Sequence, residues 1–133
     1  MSDNSISLSD HIPKNTKIKV FELCKDGKSL FKDFFEKIET DGNLLSDLSR
    51  ALRIIEDTAN LKLCPKTKFR PLKLDKKIKD KVYEAKSGLI RIYLFHESKT
   101  GRIILMGGVK DNQIEDIKKV KKLILNYKNE HTS

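Results

Sequence analysis

The stretch from Val82 to Lys110 carries the residues best suited to chemistry. Ile90, Ile92 and Leu94 alternate with Arg91, Tyr93 and Phe95, the period of a strand. Ser87-Gly88 and Lys99-Thr100-Gly101 punctuate the stretch, so it reads as three consecutive strands. With Ser87-Gly88 as a two-residue hairpin loop, Ala85 faces Ile90, Glu84 faces Arg91 and Tyr83 faces Ile92. One face is then core. The other gathers a carboxylate (Glu84), two cations (Lys86 and Arg91) and a phenol (Tyr93). Two readings stay open for this group. As a cross-strand ion pair on an open sheet face, Glu84 and Arg91 contribute under ~1 kcal/mol and need do nothing more. As a site, the guanidinium is a rigid fork for an oxyanion, which lysine does not reproduce. The carboxylate is the weaker member, because a cation directly opposite blunts it as a base.

Those strands must be positioned by the rest of a short chain. The protein has 133 residues, enough for one domain with a real core. The formal net charge is +9 and the sequence pI about 9.5, which favours an anionic partner. Nine basic residues lie between Lys62 and Lys81, against only Asp75 and Asp80. A solvated lysine-rich surface and a nucleic-acid or acidic-protein interface both fit that run. Cys24 and Cys64 form no CxxC or Cys/His array, so no metal site is expected. The first residues lack a basic region followed by an apolar run, and no apolar run approaches a membrane span. The expectation is a cytoplasmic protein with reduced thiols, no membrane contact and no small-molecule cofactor.

In chain order, residues 1–16 are polar and read as a flexible arm ahead of a single domain over 17–130. Lys17 to Cys24 reads as a strand. Ser29 can cap a helix to about Thr40, with Leu30, Phe31, Phe34, Phe35 and Ile38 on one stripe. Asp41-Gly42 stops it, and Asn43 can cap a second helix with the stripe Leu44, Leu45, Leu48, Ala51, Leu52, Ile55 and Ala59. The two form a helical hairpin that must cover a sheet built mostly from later strands. Pro65 and Pro71 forbid a helix over 60–81, where a short strand at Phe69 to Leu74 fits. Gly107-Gly108 is expected to end the last strand, either as a sharp exit or as a backbone anion site. Asn112 to Glu130 reads as a terminal helix with the stripe Ile114, Ile117, Val120, Leu123, Ile124 and Tyr127. The fold class is α+β: an N-terminal strand and helical hairpin on a mostly antiparallel sheet, then a C-terminal helix.

This order and three motifs resemble the RelE/HigB superfamily of toxins from bacterial toxin–antitoxin systems. The motifs are FRPLK (69–73), VYEAKSGLIRIYLF (82–95) and GRIILMGGVKDNQIEDI (101–117). The resemblance implies a RelE-like fold, a cognate antitoxin, and action on RNA or the ribosome. Many such toxins cut messenger RNA by driving a ribose 2′-OH onto the adjacent phosphate. That step needs a base, cations for the phosphorane and an acid for the leaving oxygen. Arg91 matches the family's middle-strand arginine, Lys110 its first lysine after the glycines, and Glu84 would be the base. Arg70, Lys73, Lys86 and Tyr93 are the expected nucleic-acid contacts. The chain departs from the pattern at Asp111, where a second basic residue is usual. It has no Tyr or His over Gln113 to Ile117, where the acid often sits. The alternative is a non-catalytic module of the same fold, binding nucleic acid or an acidic protein through its basic surface.

Overall fold

The computed structural model describes residues 4–131. One mixed sheet runs through it. Its strands are β1 (Asn4–Leu8), β2 (Val20–Lys25), β3 (Lys28–Ser29), β4 (Phe69–Leu72), β5 (Lys81–Ser87), β6 (Ile90–Glu97) and β7 (Gly101–Val109). The order across the sheet is β1-β2-β7-β6-β5-β4, with β3 pairing on β2. Every neighbouring pair is antiparallel except β2 with β7. The helices are α1 (Leu30–Ile38), α2 (Gly42–Ala59) and α3 (Gln113–His131).

Caps and stripes explain the helices. The Ser29 side chain accepts a hydrogen bond from the Lys32 N–H at the start of α1. Asp41, rather than the expected Asn43, caps α2 by accepting from the N–H groups of Asn43 and Leu44. Phe31 of α1 and Leu48 and Ile55 of α2 are fully buried against Ile90, Ile92, Leu94 and Ile104 of the sheet. The two helices therefore cover one face, as the stripes predict.

The other face is covered too. Val120, Ile124 and Tyr127 of α3 pack on Leu23, Tyr93, Phe95, Ile103 and Leu105. The expectation of an open polar face is therefore corrected: β6 is buried on both sides from Ile90 to Phe95. The cause is the terminal helix, whose apolar stripe needs a sheet face of its own, leaving a helix–sheet–helix sandwich. Ile114 is the one member of that expected stripe left exposed.

Two further expectations are overturned. Residues 4–16 are not a loose arm. β1 pairs along the outer edge of β2, from Asn4 with Lys25 to Leu8 with Phe21. The chain beyond it is pinned by Glu22, whose buried carboxylate accepts from Ser9 Oγ and Ser29 Oγ at 2.5 Å and meets His11 Nδ1 at 2.7 Å. The His11 ring also lies against Phe31 and Phe35. A polar run carries no periodic apolar signal, so its order comes from partners far along the chain. Residues 1–3 of the expected arm lie outside the described residues. Second, β7 does not stop at Gly107-Gly108 but runs through both to Val109. The glycines serve close approach. A Cβ on Gly107 would overlap the Phe34 ring, and one on Gly108 the Asp116 carboxylate.

Candidate functional site

The β5–β6 hairpin has Gly88 and Leu89 as its loop, not Ser87 and Gly88. The pairing is therefore displaced from the expected one. Glu84 faces Tyr93, Lys86 faces Arg91, and Ala85 faces Ile92. The sides are those expected, because the displacement keeps the alternation, but Glu84 and Arg91 are not opposite each other. Asp47 of α2 fixes this loop by accepting from the Leu89 N–H, and a Cβ on Gly88 would collide with its carboxylate.

Glu84 is fully buried beneath the start of α3. Its Oε1 accepts from Arg70 Nη2 at 3.0 Å, across the β4–β5 pairing. Its Oε2 accepts from Gln113 Nε2 at 2.5 Å, from the first residue of α3. Tyr93 is also fully buried, and its hydroxyl has no hydrogen-bond partner among the described residues. Burial, then the nearby Glu84 and Asp116 carboxylates, push its phenol well above the usual range. Asp116 sits in the same layer with Oδ2 unpartnered, and burial pushes its carboxyl up. Glu84, Tyr93 and Asp116 thus form a buried polar seam that docks α3 on the sheet, with Arg70 and Gln113 reaching in from its partly exposed rim.

Arg91 leaves that seam. Its Nη1 donates to Gly88 O at 2.8 Å and Ile90 O at 2.9 Å, which fixes the guanidinium at the hairpin end. Its Nε is buried with no partner among the described residues. The residue helps to line a cleft of about 550 Å³ between α2 and the hairpin. Arg50 and Arg53 of α2, Lys68 ahead of β4 and Lys86 of β5 line the same cleft. Asp57 is the acidic residue among the lining side chains, already engaged by Arg53 at 3.3 Å and Lys62 at 3.7 Å. Lys68 and Lys86 make no ion pair among the described residues.

The expected residues thus divide. Arg91 and Lys86 share the cleft. Glu84, Arg70 and Tyr93 belong to the seam behind it. Lys110 is exposed beside the hairpin, where its N–H donates to Leu89 O at 2.8 Å, but it does not line the cleft. Lys73 is exposed beyond β4 and lines a separate hollow with Leu72, Ile78 and Val82. Lys68 belongs to the basic run from Lys62 to Lys81 noted in the sequence, whereas sequence reasoning missed Arg50, Arg53 and Gln113. The signal for Arg50 and Arg53 was their spacing of three on one side of α2, away from its apolar stripe. Nothing local marked Gln113, whose partner lies 29 residues away. Among the described residues no cluster of His, Cys, Asp and Glu could hold a metal ion, and no helix is long and apolar enough to cross a membrane. No protein-family model, no curated protein and no solved structure matches this chain, so the cleft stands on its own geometry.

Proposed function

We propose that this protein engages RNA or the ribosome through the Arg91 cleft, as a RelE/HigB-like module that binds rather than cuts. One observation carries the reading: five cations from four separate segments converge on one concave surface. A phosphate backbone suits such a surface, since each neutralised phosphate releases counterions. Arg91 is held in place by its own hairpin, so its planar fork loses little freedom on binding an oxyanion. Lys110, beside the hairpin tip, extends the basic surface. A cognate antitoxin belongs to the same reading, as an acidic partner that covers these cations.

Cutting has less support. It needs a base for the 2′-OH and an acid for the leaving oxygen. Glu84 is buried with both oxygens bonded, so it reaches neither proton in this conformation. Tyr93 is equally enclosed.

The test is binding of a labelled single-stranded RNA by fluorescence anisotropy. Five phosphate contacts on a single strand give a log–log salt slope of about −3.5, so affinity should fall roughly a hundredfold between about 50 and 200 mM salt. Arg50→Glu with Lys86→Glu should abolish most of that binding. Salt-insensitive binding, or binding that survives the double reversal, defeats the proposal. Induced expression in bacteria checks the nuclease alternative: growth arrest with cuts in ribosome-bound message, both lost in Glu84→Gln, would return the chemistry to Glu84.

A further inference from the structure

The sheet ends on two strands, and they are finished differently. β4 closes one end and β1 the other. Lys86 N–H donates to Lys68 O in step with the β4–β5 pairing, so Arg70 and Leu72 turn their main-chain groups to β5 and Pro71 stands at an outward position. Pro71 has no N–H to offer, and Lys68, Arg70 and Lys73 stand beside it in the chain, which are common defences of a strand edge. β1 has neither defence. Its five residues, Asn4–Leu8, include no proline and no charge.

The pairing register decides which groups of β1 face out. Ser9 N–H donates to Val20 O at 2.9 Å, in step with the β1–β2 pairing. Counting back by twos, Ser7 and Ser5 bond β2, while Ile6 and Leu8 aim their N–H and C=O groups away from it. One end of this outward row is closed, because Asn4 O is bonded to His131 Nε2 of α3 at 2.8 Å. Past it, no described residue bonds the outward groups of Ile6 and Leu8. The strand is open there: Ser5, Ser7 and Leu8 are exposed, Leu8 at 40%, and Ile6 is half-buried. The Ile6 and Leu8 side chains share one face with Phe21, which pairs with Leu8 and is itself half-buried.

We propose that β1 is the seam of a homodimer, in which two copies pair their β1 strands antiparallel about a twofold axis through Ser7 and the sheet runs on from one copy into the other. A twofold centred there sets Ile6 of each copy opposite Leu8 of the other. Each such pair exchanges both of its N–H···O bonds, so the outward N–H and C=O groups of Ile6 and Leu8 are all satisfied. The same register lays the Leu8 side chain of each copy on Ile6 of the other and covers the apolar strip. Charge selects this end of the sheet. The run from Lys62 to Lys81, nine basic residues against two acidic, lies around β4, so a seam at β1 holds the basic ends of two +9 chains furthest apart. Nucleic acid and acidic segments find no cation on Asn4–Leu8. The Arg91 cleft shares no residue with the seam, so each copy keeps its cleft.

The whole protein, isotope-labelled and free of nucleic acid, is followed by sedimentation equilibrium and amide hydrogen exchange up to about 1 mM, where even a small interface assembles. A reversible dimer is expected. The Ile6 and Leu8 amides should exchange about tenfold or more slowly at the top of that range than in dilute protein, with the Ser5 and Ser7 amides, bonded within each copy, as the reference. Leu8→Lys sets a charge at the seam, and Leu8→Pro removes an outward N–H that β2 does not use. Each should weaken the dimer by about tenfold or more with circular dichroism unchanged. The exchange measurement needs no variant and decides by itself if either fails to fold. Added salt should tighten the dimer by screening two +9 chains, opposite in sign to its effect on RNA binding. Arg50→Glu with Lys86→Glu should not weaken the dimer, so this inference and the RNA reading fail separately. Monomer throughout the range, a dimer that survives both Leu8 variants, or protection that falls on Phe69–Leu72 instead overturns the proposal.

Discussion

Removing Arg70 should harm the protein more than neutralising the acid it pairs with. Glu84 is fully buried, while the Arg70 side chain is 42% exposed. Arg70→Ala strands a carboxylate whose remaining hydrogen bond comes from Gln113. Stranding a buried charge costs about 3–5 kcal/mol, and water entering the space left by a half-exposed guanidinium should hold the loss near ~3 kcal/mol. Glu84→Gln removes the charge at nearly constant shape. Arg70 then turns to solvent, and the loss is that of one charge-assisted hydrogen bond, about 1.5 kcal/mol. The decisive sample is the double variant, Arg70→Ala with Glu84→Gln. It strands nothing, so it should be more stable than Arg70→Ala alone by about 1 kcal/mol. Denaturant unfolding at neutral pH followed by far-ultraviolet circular dichroism measures all three. The chain has no tryptophan, so fluorescence would report only weakly. A loss below ~1 kcal/mol for Arg70→Ala, or no recovery in the double variant, would refute the view of Glu84 as a charge held buried by Arg70.

Three other outcomes are expected. Tyr93→Phe removes a buried hydroxyl without a partner, so stability should hold or rise by about 0.5–1 kcal/mol; a clear loss would reveal a hydrogen bond made in solution. Gly107→Ala should cost about 1–3 kcal/mol, because its Cβ would overlap the Phe34 ring on α1; a neutral result in thermal melting would show that α1 can move off the strand. Burial pushes the Glu22 carboxyl up, but hydrogen bonds from His11, Ser29 and Ser9 outweigh it and hold it below the usual range. A depressed folded value contributes stability that is present above the unfolded value of about 4.3 and is lost as pH falls below it through the folded value. Unfolding curves across that window should therefore slope less for Glu22→Gln than for the natural chain, and parallel slopes would remove Glu22 as the anchor of residues 9–12.

The elements that announced themselves were those with a local period. The Phe31 and Leu48 stripes, the β5–β6–β7 meander and the terminal helix each repeat an apolar residue at the spacing of their structure. What stayed hidden depended on distance. The alternation of Glu84, Lys86, Arg91 and Tyr93 is the pattern of a half-exposed sheet, and it held for side-chain direction. It could not say that α3 would close over that side, because polar residues at buried positions are satisfied by Arg70 and Gln113 from other segments. The hairpin register turned on whether Ser87 or Leu89 joins Gly88 in the loop, and Asp47, 42 residues from Leu89, takes part in that choice. The cleft was half legible for the same reason. Arg91 and Lys86 sit on the hairpin that drew attention, whereas Arg50 and Arg53 lie on a helix read only for its apolar side.

The parallel contact between β2 and β7 has a consequence for assembly. Val20 pairs with Arg102, so about 80 residues must be made before β2 meets its inner neighbour. The meander from Lys81 to Val109 joins neighbours in sequence and can close early, since short loops lose little entropy on closure. β2 joins a template that already exists, and β1, which pairs with β2, enters the sheet through it. On a translating ribosome β2 emerges long before its partner and waits with both edges bare except for β1 and the short β3 hairpin. Substitutions in β6 and β7 should therefore slow refolding, whereas those in β1 should mainly speed unfolding.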